Sequence, residues 1–273
     1  MKTTLEVPYP LAPEQIAFFR ERGYVKLKEV LSPEEIERYR QEITQVVKER
    51  NPLLNKPMEE RTTYEKAFTQ ITNLWQENEV VKELIFSKRL ARIAAELMGV
   101  AGVRLYHDQA LYKEPGGGIT PWHADQYYWP LSTENTCTAW IPLQAVPREM
   151  GPLAFSERTH HFEIGRDLAI SDESEDMIQK ALAEQNFELE SGPFDLGEVS
   201  YHSGWTFHRA GANTTDDVRA VMTVIYMEDG IRVTELERPE HQADRDAFLP
   251  GLQPNDEAIT EYNPLLYRLH DRN

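Results

Sequence analysis

The chain has 273 residues, of which 40% are apolar and 27% are charged, which is an ordinary globular balance. Its formal net charge of −17 disfavours binding to nucleic acid or to an anionic membrane surface, so we expect neither partner. Cys137 is the only cysteine, which excludes an intrachain disulfide and a thiolate metal cluster. Without an apolar run of the length of a signal peptide or a membrane span, we expect a soluble, cytoplasmic protein.

The N-terminal part predicts helices with one short strand. Apolar positions at helical spacing predict a helix over 13–22, which Gly23 ends as a C-cap. Residues 24–27 alternate as a strand does, and Ser32 begins a capping box whose helix should extend to about Glu49. The rest of this part predicts a helix over 78–98, ended by Gly99, and has no clear pattern over 53–75.

The sequence after Val103 changes to short β-rich runs that glycine and proline interrupt. This texture is typical of an all-β barrel or a double sheet. The acidic segment 166–190 predicts a helix-bearing insertion, which could be a lid or a solvated helix, and the tail from Glu235 is polar. The predicted strands lie within 103–113, 135–146, 152–155, 197–202 and 218–227.

We therefore expect one domain over 1–273, in which helices support a β-rich core. Its parts are a mostly helical support (1–100), the core with its acidic insertion (101–234) and a C-terminal tail (235–273).

One histidine of the eight has a carboxylate two positions away at a plausible strand end. On an extended strand, the side chains of His123 and Asp125 point to the same face, so both can reach one metal ion. Two histidines and one carboxylate leave three positions open on iron(II). The His-x-Asp pattern is weak alone, but Gly116–Gly118 before it and the aromatic run 127–129 after it are typical of a barrel mouth.

The third ligand has to come from a distant segment. The stretch 197–213 offers His202 and His208, and the residues alone leave both open. Arg219 lies on the apolar strand that follows. A buried guanidinium needs an anionic partner, and the distal carboxylate of 2-oxoglutarate would be one; the alternative is a surface arginine on an edge strand.

The other histidines and the aromatic run carry simpler expectations. His107 beside Asp108 is an improbable metal pair, because adjacent strand residues face opposite sides. His160 and His161 are expected on a loop, and His241 and His270 are expected to be exposed. Candidates for the pocket wall, with barrel core as the alternative, are Trp122, Tyr127, Tyr128 and Trp129, and the candidate substrate contacts are Trp122, Gln126 and Tyr127.

Several motifs in this order resemble the phytanoyl-CoA dioxygenase family of iron(II)- and 2-oxoglutarate-dependent oxygenases, which includes ectoine hydroxylase. The resemblance covers nearly the whole chain, and the order and spacing of the motifs make it specific. They are the helix–strand–helix start (13–49), Lys113-Glu-Pro-Gly, Trp122-His123-Ala-Asp125, Thr138-Ala-Trp140-Ile-Pro-Leu143, Gly151-Pro-Leu153 and His208-Arg-Ala-Gly-Ala-Asn213 with Arg219.

The resemblance implies a double-stranded β-helix (a jelly roll, as in cupins) with an N-terminal helical layer. It implies a dioxygenase that uses Fe(II), 2-oxoglutarate and O₂ to hydroxylate a small-molecule metabolite, with release of succinate and CO₂. His208 is favoured over His202. The implied iron ligands are His123, Asp125 and His208, and the implied 2-oxoglutarate contacts are Arg219, Gln109, Lys113 and Trp140.

Two details of the resemblance bear on the reaction. Ala210 stands where relatives often have a serine that helps to hold the co-substrate, whereas the presence of Asp125 favours hydroxylation over halogenation. The alternatives are a cupin-like metalloenzyme without 2-oxoglutarate and a non-catalytic metabolite-binding barrel. The substrate, including whether it is an acyl-CoA, stays open.

Overall fold

The computed structural model describes residues 4–269, and its N-terminal elements follow the predicted pattern. Helix α1 (Pro13–Arg22) is followed by strand β1 (Tyr24–Leu27). Gly23 ends α1 with φ +84° and donates its N–H to the Phe19 carbonyl at 2.7 Å. A Cβ at this position would overlap His160, so the turn between α1 and β1 requires glycine.

Helix α2 (Pro33–Arg50) begins with the predicted capping box. The Glu35 N–H donates to Ser32 Oγ at 3.2 Å, and the Ser32 N–H donates to Glu35 Oε2 at 2.8 Å. These two bonds satisfy backbone donors that the first helical turn leaves free. The predicted extent of this helix is confirmed to within one residue.

The predicted helical stretch 78–98, ended by Gly99, consists of two helices: α4 (Glu79–Ile85) and α5 (Lys88–Met98). Ser87 separates them, and its hydroxyl caps α5 by accepting the Leu90 N–H at 3.3 Å. The stretch without a predicted pattern contains helix α3 (Thr63–Ala67) and strand β2 (Thr69–Thr72).

The remaining elements form the β-rich core and its additions. In chain order they are strands β3 (Gly102–Lys113), β4 (Thr120–His123), β5 (Thr136–Pro142) and β6 (Leu153–Ser156), helix α6 (Asp172–Glu184), strands β7 (Leu189–Glu190), β8 (Val199–Ser203), β9 (His208–Ala210) and β10 (Arg219–Glu228), helix α7 (Pro239–Phe248) and strand β11 (Leu265–Arg268).

Two antiparallel sheets make up this core. The larger sheet has the order β1-β8-β5-β10-β3-β11, with β2 also paired to β3, and the smaller has the order β4-β9-β6-β7. Residues of both sheets line one cavity between them. This arrangement is a double-stranded β-helix, so the predicted fold with its helical layer is confirmed.

Strand β10 shows how the larger sheet separates its two faces. Met222, Val224 and Tyr226 pack in the core that this sheet shares with the N-terminal helices. The alternate residues Arg219 and Thr223 point to the cavity, as the two-residue period of a strand requires. The helices therefore cover one face of the sheet, and the other face is left to form a site.

Helices α6 and α7, which flank the two sheets, carry side chains that are more buried than the sequence indicates. Helix α6 packs Ile178 and Leu182 in one cluster with Trp122 of β4. One face of this helix is therefore buried against the core, and the alternative of a solvated helix does not hold. His241, on α7, was expected to be exposed but is buried, and its Nε2 lies 3.1 Å from the Tyr127 carbonyl. His270 lies outside the described residues. None of the helices within 4–269 is long and apolar enough to cross a membrane.

Candidate metal and co-substrate site

Strand pairing in the smaller sheet places two predicted ligands side by side. His123, at the end of β4, is the direct partner of His208, at the start of β9, and their ring centroids lie 4.1 Å apart. His123 Nδ1 lies 2.7 Å from the Pro121 carbonyl, and His208 Nδ1 lies 2.9 Å from the Thr206 carbonyl. Because each Nδ1–H donates to a carbonyl, each Nε2 keeps a free lone pair.

Asp125 completes the group just after β4. Its Oδ1 lies 3.7 Å from His123 Nε2 and 3.6 Å from His208 Nε2. One potential ligand atom from each of the three residues lies within 4.8 Å of the others. Two nitrogens and one carboxylate oxygen, converging on one point from one side, fit a divalent iron ion with open positions.

The burial of these side chains sets their protonation states. Burial lowers the pKa of His123 to about 3 and that of His208 to about 4, so both imidazoles are neutral at pH 7. Burial also opposes ionisation of Asp125, but the surrounding imidazoles hold the pKa of this carboxyl below its usual range. Neutral imidazoles and an ionised carboxylate are the forms that bind a metal.

His202 lies beside the group and contacts its carboxylate. The second oxygen of Asp125, Oδ2, lies 3.2 Å from His202 Nε2 and accepts a hydrogen bond from the Thr138 hydroxyl at 2.9 Å. The oxygen that faces the two imidazoles is therefore left free. This geometry suits a support for Asp125 rather than a third histidine ligand.

A cavity of about 500 Å³ opens from the three predicted ligands. Arg219 lines it at the start of β10, in the centre of the larger sheet, and is 1% exposed. Burial lowers the pKa of Arg219 to about 9, and its Nε has no hydrogen-bond partner within 4–269. Its guanidinium donates to the Gly151 carbonyl and lies 5.6 Å from the centre of the Trp140 ring.

The described residues supply no carboxylate to pair with Arg219. A surface arginine on an edge strand, the alternative reading of the sequence, is wrong. A buried guanidinium without an anion is costly, so the cavity fits an anionic ligand at this position.

The three other predicted co-substrate residues lie at different depths. Gln109 and Trp140 line the cavity. Lys113, the strand partner of Arg219, is fully buried behind the wall, where its Nζ donates to the Gly118 carbonyl and, at 2.7 Å, to the Gly211 carbonyl. Burial, with a smaller contribution from Arg219, lowers the pKa of Lys113 to about 6.

The three candidate substrate contacts lie outside the cavity wall. Trp122 precedes His123 on β4, so it faces the other side and packs under α6. The Gln126 side chain accepts a hydrogen bond from the Thr136 hydroxyl, and the ring of Tyr127 lies under Arg238 at 4.4 Å. Of the predicted aromatic wall, Tyr128 and Trp129 do line the cavity.

Several lining residues have no signal in the sequence pattern. The Tyr64 hydroxyl donates to Gln70 at 2.6 Å, and the Gln70 side chain donates to Gln109. The segment 53–75, which has no clear pattern in the sequence, therefore forms one wall of the cavity. His107 lines the cavity, whereas its neighbour Asp108 on β3 points to the other face of the sheet. The tail supplies a further wall through Asp244 and Phe248 of α7. Only the pairing of distant segments in the fold brings these residues together.

The comparison with known families agrees with this site. The family described as Phytanoyl-CoA dioxygenase (PhyH) matches residues 19–221. The chain belongs to this family. The predicted family and the predicted enzyme class, a 2-oxoglutarate-dependent dioxygenase, are therefore confirmed.

Two curated relatives are similar to this chain over more than three quarters of its length. A probable alpha-ketoglutarate-dependent hypophosphite dioxygenase of Stutzerimonas stutzeri is 24% identical over 78% of this chain and 77% of its own. A methylphosphonate hydroxylase of Gimesia maris is 25% identical over 79% of this chain and 80% of its own.

Two solved structures share the fold. The alpha-ketoglutarate-dependent carbocyclase SnoK of nogalamycin biosynthesis is 29% identical, with a TM-score of 0.78, over 95% of this chain and 99% of its own. The S. alaskensis EctD structure with 2-oxoglutarate and 5-hydroxyectoine is 20% identical, with a TM-score of 0.68, over 92% and 88%.

Proposed function

We propose that this dioxygenase hydroxylates a small-molecule metabolite at an iron ion held by His123, Asp125 and His208. The convergence of the three potential ligand atoms within 4.8 Å carries the proposal. The predicted cofactors are confirmed: relatives use Fe and 2-oxoglutarate, and the donor set here fits them. Iron with 2-oxoglutarate and O₂ supplies the oxidising chemistry, with release of succinate and CO₂.

The protein's own part begins with the fixed direction of each ligand. The carbonyls of Pro121 and Thr206 orient the two imidazoles, and Thr138 with His202 holds the far oxygen of Asp125. Such supporting hydrogen bonds fix the ligand geometry before the metal arrives.

The co-substrate is proposed to bind at the Arg219 end of the cavity. Arg219 pairs with its distal carboxylate, because this guanidinium is buried, cationic and without an anionic partner in the described chain. Gln109 and Trp140 line the same cavity, and Lys113 is the strand partner of Arg219, where its amine donates to two backbone carbonyls.

Thr120 is added to the proposed co-substrate contacts. It is the strand partner of Ala210, the residue that stands where relatives often have a serine. Its hydroxyl is buried without a hydrogen-bond partner within 4–269, and both residues line the cavity. Thr120 can therefore donate the hydrogen bond that Ala210 cannot.

The test of this function is the anaerobic addition of Fe(II) and then 2-oxoglutarate. A visible absorption band that requires both additions is expected, and absence of the band would reject the proposed co-substrate. With O₂ and a substrate, succinate should form together with a product that has gained one oxygen atom. A product without the added oxygen would reject hydroxylation.

The cytoplasmic location stays a prediction from composition. Fractionation of the cells that make the protein checks it, and recovery with an envelope or secreted fraction would contradict it.

A further inference from the structure

The cavity continues well beyond the proposed co-substrate end. On β3, Lys113 pairs with Arg219, whereas His107 pairs with Ile225 six residues further along β10. Six residues of strand span about 20 Å. His107 and the α7 residues Asp244 and Phe248 therefore line an end of the cavity that is remote from Arg219, and we call it the α7 end.

The α7 end carries acidic side chains, whereas the other end carries the guanidinium of Arg219. Glu240 and Asp244 lie one helical turn apart on α7 and both line the cavity. The Tyr106 hydroxyl donates to one oxygen of Asp244. Across 4–269, no lysine or arginine forms an ion pair with either carboxylate, and Arg219 is the only cationic side chain of the wall.

A second observation at this end comes from His107. It is 5% exposed, lines the cavity and stacks on the Phe248 ring with centroids 3.9 Å apart. Its Nδ1 has no hydrogen-bond partner within the described chain. Burial lowers the pKa of His107 to about 4, so the ring is neutral and adds no positive charge for an anionic ligand.

The aromatic side chains around these polar groups complete the surface. Tyr128, Trp129 and Phe248 line the α7 end, and flat apolar walls of this kind bind rings through dispersion and stacking.

We propose that the α7 end selects a ring-bearing substrate that is not an anion and whose hydroxyl or ammonium group donates to Glu240 and Asp244. The inference rests on the proposed function, since it names the substrate class of the same cavity. An acyl-CoA or a phosphorus oxyanion would bring negative charge beside the Glu240 carboxylate and the buried carboxyl of Asp244, with no cation of the wall left to receive it. This chain therefore differs from relatives named for hypophosphite and methylphosphonate.

The probes are three compounds with the same naphthyl ring and different end groups: naphthylethylamine, naphthylethanol and naphthylacetate. Their dissociation constants are measured by calorimetry on the anaerobic enzyme with Fe(II) and 2-oxoglutarate bound. Burial raises the pKa of Asp244 to about 8, so the titrations are run at about pH 8.5, where this group is mostly ionised and the amine is still protonated.

The amine is expected to bind most tightly, followed by the alcohol, with the acetate at least about tenfold weaker than the alcohol. Glu240→Gln and Asp244→Asn should each reduce the advantage of the amine over the acetate by about threefold or more. Asp246→Asn is the matched control. Asp246 lies on the same helix and pairs with Gln242 and Arg245, outside the cavity wall, so the three constants should stay unchanged.

The inference is overturned if the acetate binds as tightly as the alcohol, if neither cavity variant changes the ratio, or if none of the three probes binds. The visible band of the Fe(II)–2-oxoglutarate complex separates this failure from that of the proposed function. With the band present and the order reversed, only the substrate class is wrong, whereas without the band the proposed function itself fails.

Discussion

The two ends of the cavity are built in different ways. The Arg219 end lies between paired strands, and its cation is held by the Gly151 carbonyl and backed by Lys113, which bonds two further carbonyls. The α7 end is closed by a tail helix, and its polar groups are two acidic side chains and a neutral imidazole. The two sheets position the proposed metal and co-substrate residues, and helix α7 lines the end that we propose selects the substrate.

The largest expected effect concerns the iron ion, at the junction of the two ends. Asp125→Ala removes the carboxylate that lies 3.7 and 3.6 Å from the two imidazole nitrogens. Turnover should fall more than about 100-fold, because even residues that only support metal ligands cost 10- to 100-fold when removed. Succinate formation measures it. Asp246→Ala, outside the cavity, is the control, and full activity of Asp125→Ala would refute the ligand role.

The second largest expected effect concerns the binding of 2-oxoglutarate at the Arg219 end. Arg219→Gln should raise the apparent KM for 2-oxoglutarate about 100-fold, because it removes the buried partner of a carboxylate. Iron affinity should change little. Lys113→Met, which removes the buried amine of the strand partner of Arg219, should have the smaller effect of the two. Steady-state kinetics at varied 2-oxoglutarate gives both values, and a larger effect at Lys113 would invert the assignment.

The smallest expected effect concerns the Thr120 hydroxyl at the Arg219 end. Thr120→Val keeps the side-chain volume and removes a buried, unpartnered Oγ1. The apparent KM for 2-oxoglutarate should rise about three- to tenfold, the size of one hydrogen bond. Adding Ala210→Ser from the opposite strand should recover most of the loss. An unchanged KM in Thr120→Val, or no recovery in the double variant, would remove Thr120 from the site.

The sequence predicts the Arg219 end better than the α7 end, for physical reasons. His123 ends β4 and Asp125 follows it two positions later, and caps such as Gly23 and Ser32 act within a few residues. Signals of this range are visible in a single sequence. The choice of His208 over His202 needed the family resemblance, because it depends on which strand faces β4.

The α7 end depends on contacts between segments that are far apart in the chain. The tail reads as polar, yet Phe248 packs with Trp129 and the buried Tyr106. Trp122 and Tyr127, predicted as substrate contacts, lie outside the cavity wall, since the alternation of β4 and the turn after it direct them away from the cavity. The break at Ser87 escaped prediction because the apolar spacing continues through it.

A crystal structure of the anaerobic complex with Fe(II) and 2-oxoglutarate tests the central claim most directly. We expect iron at about 2.0–2.2 Å from His123 Nε2, Asp125 Oδ1 and His208 Nε2, with the distal carboxylate of 2-oxoglutarate on the Arg219 guanidinium. Iron bound through His202 in place of His208, or a co-substrate that lies away from Arg219, would contradict it.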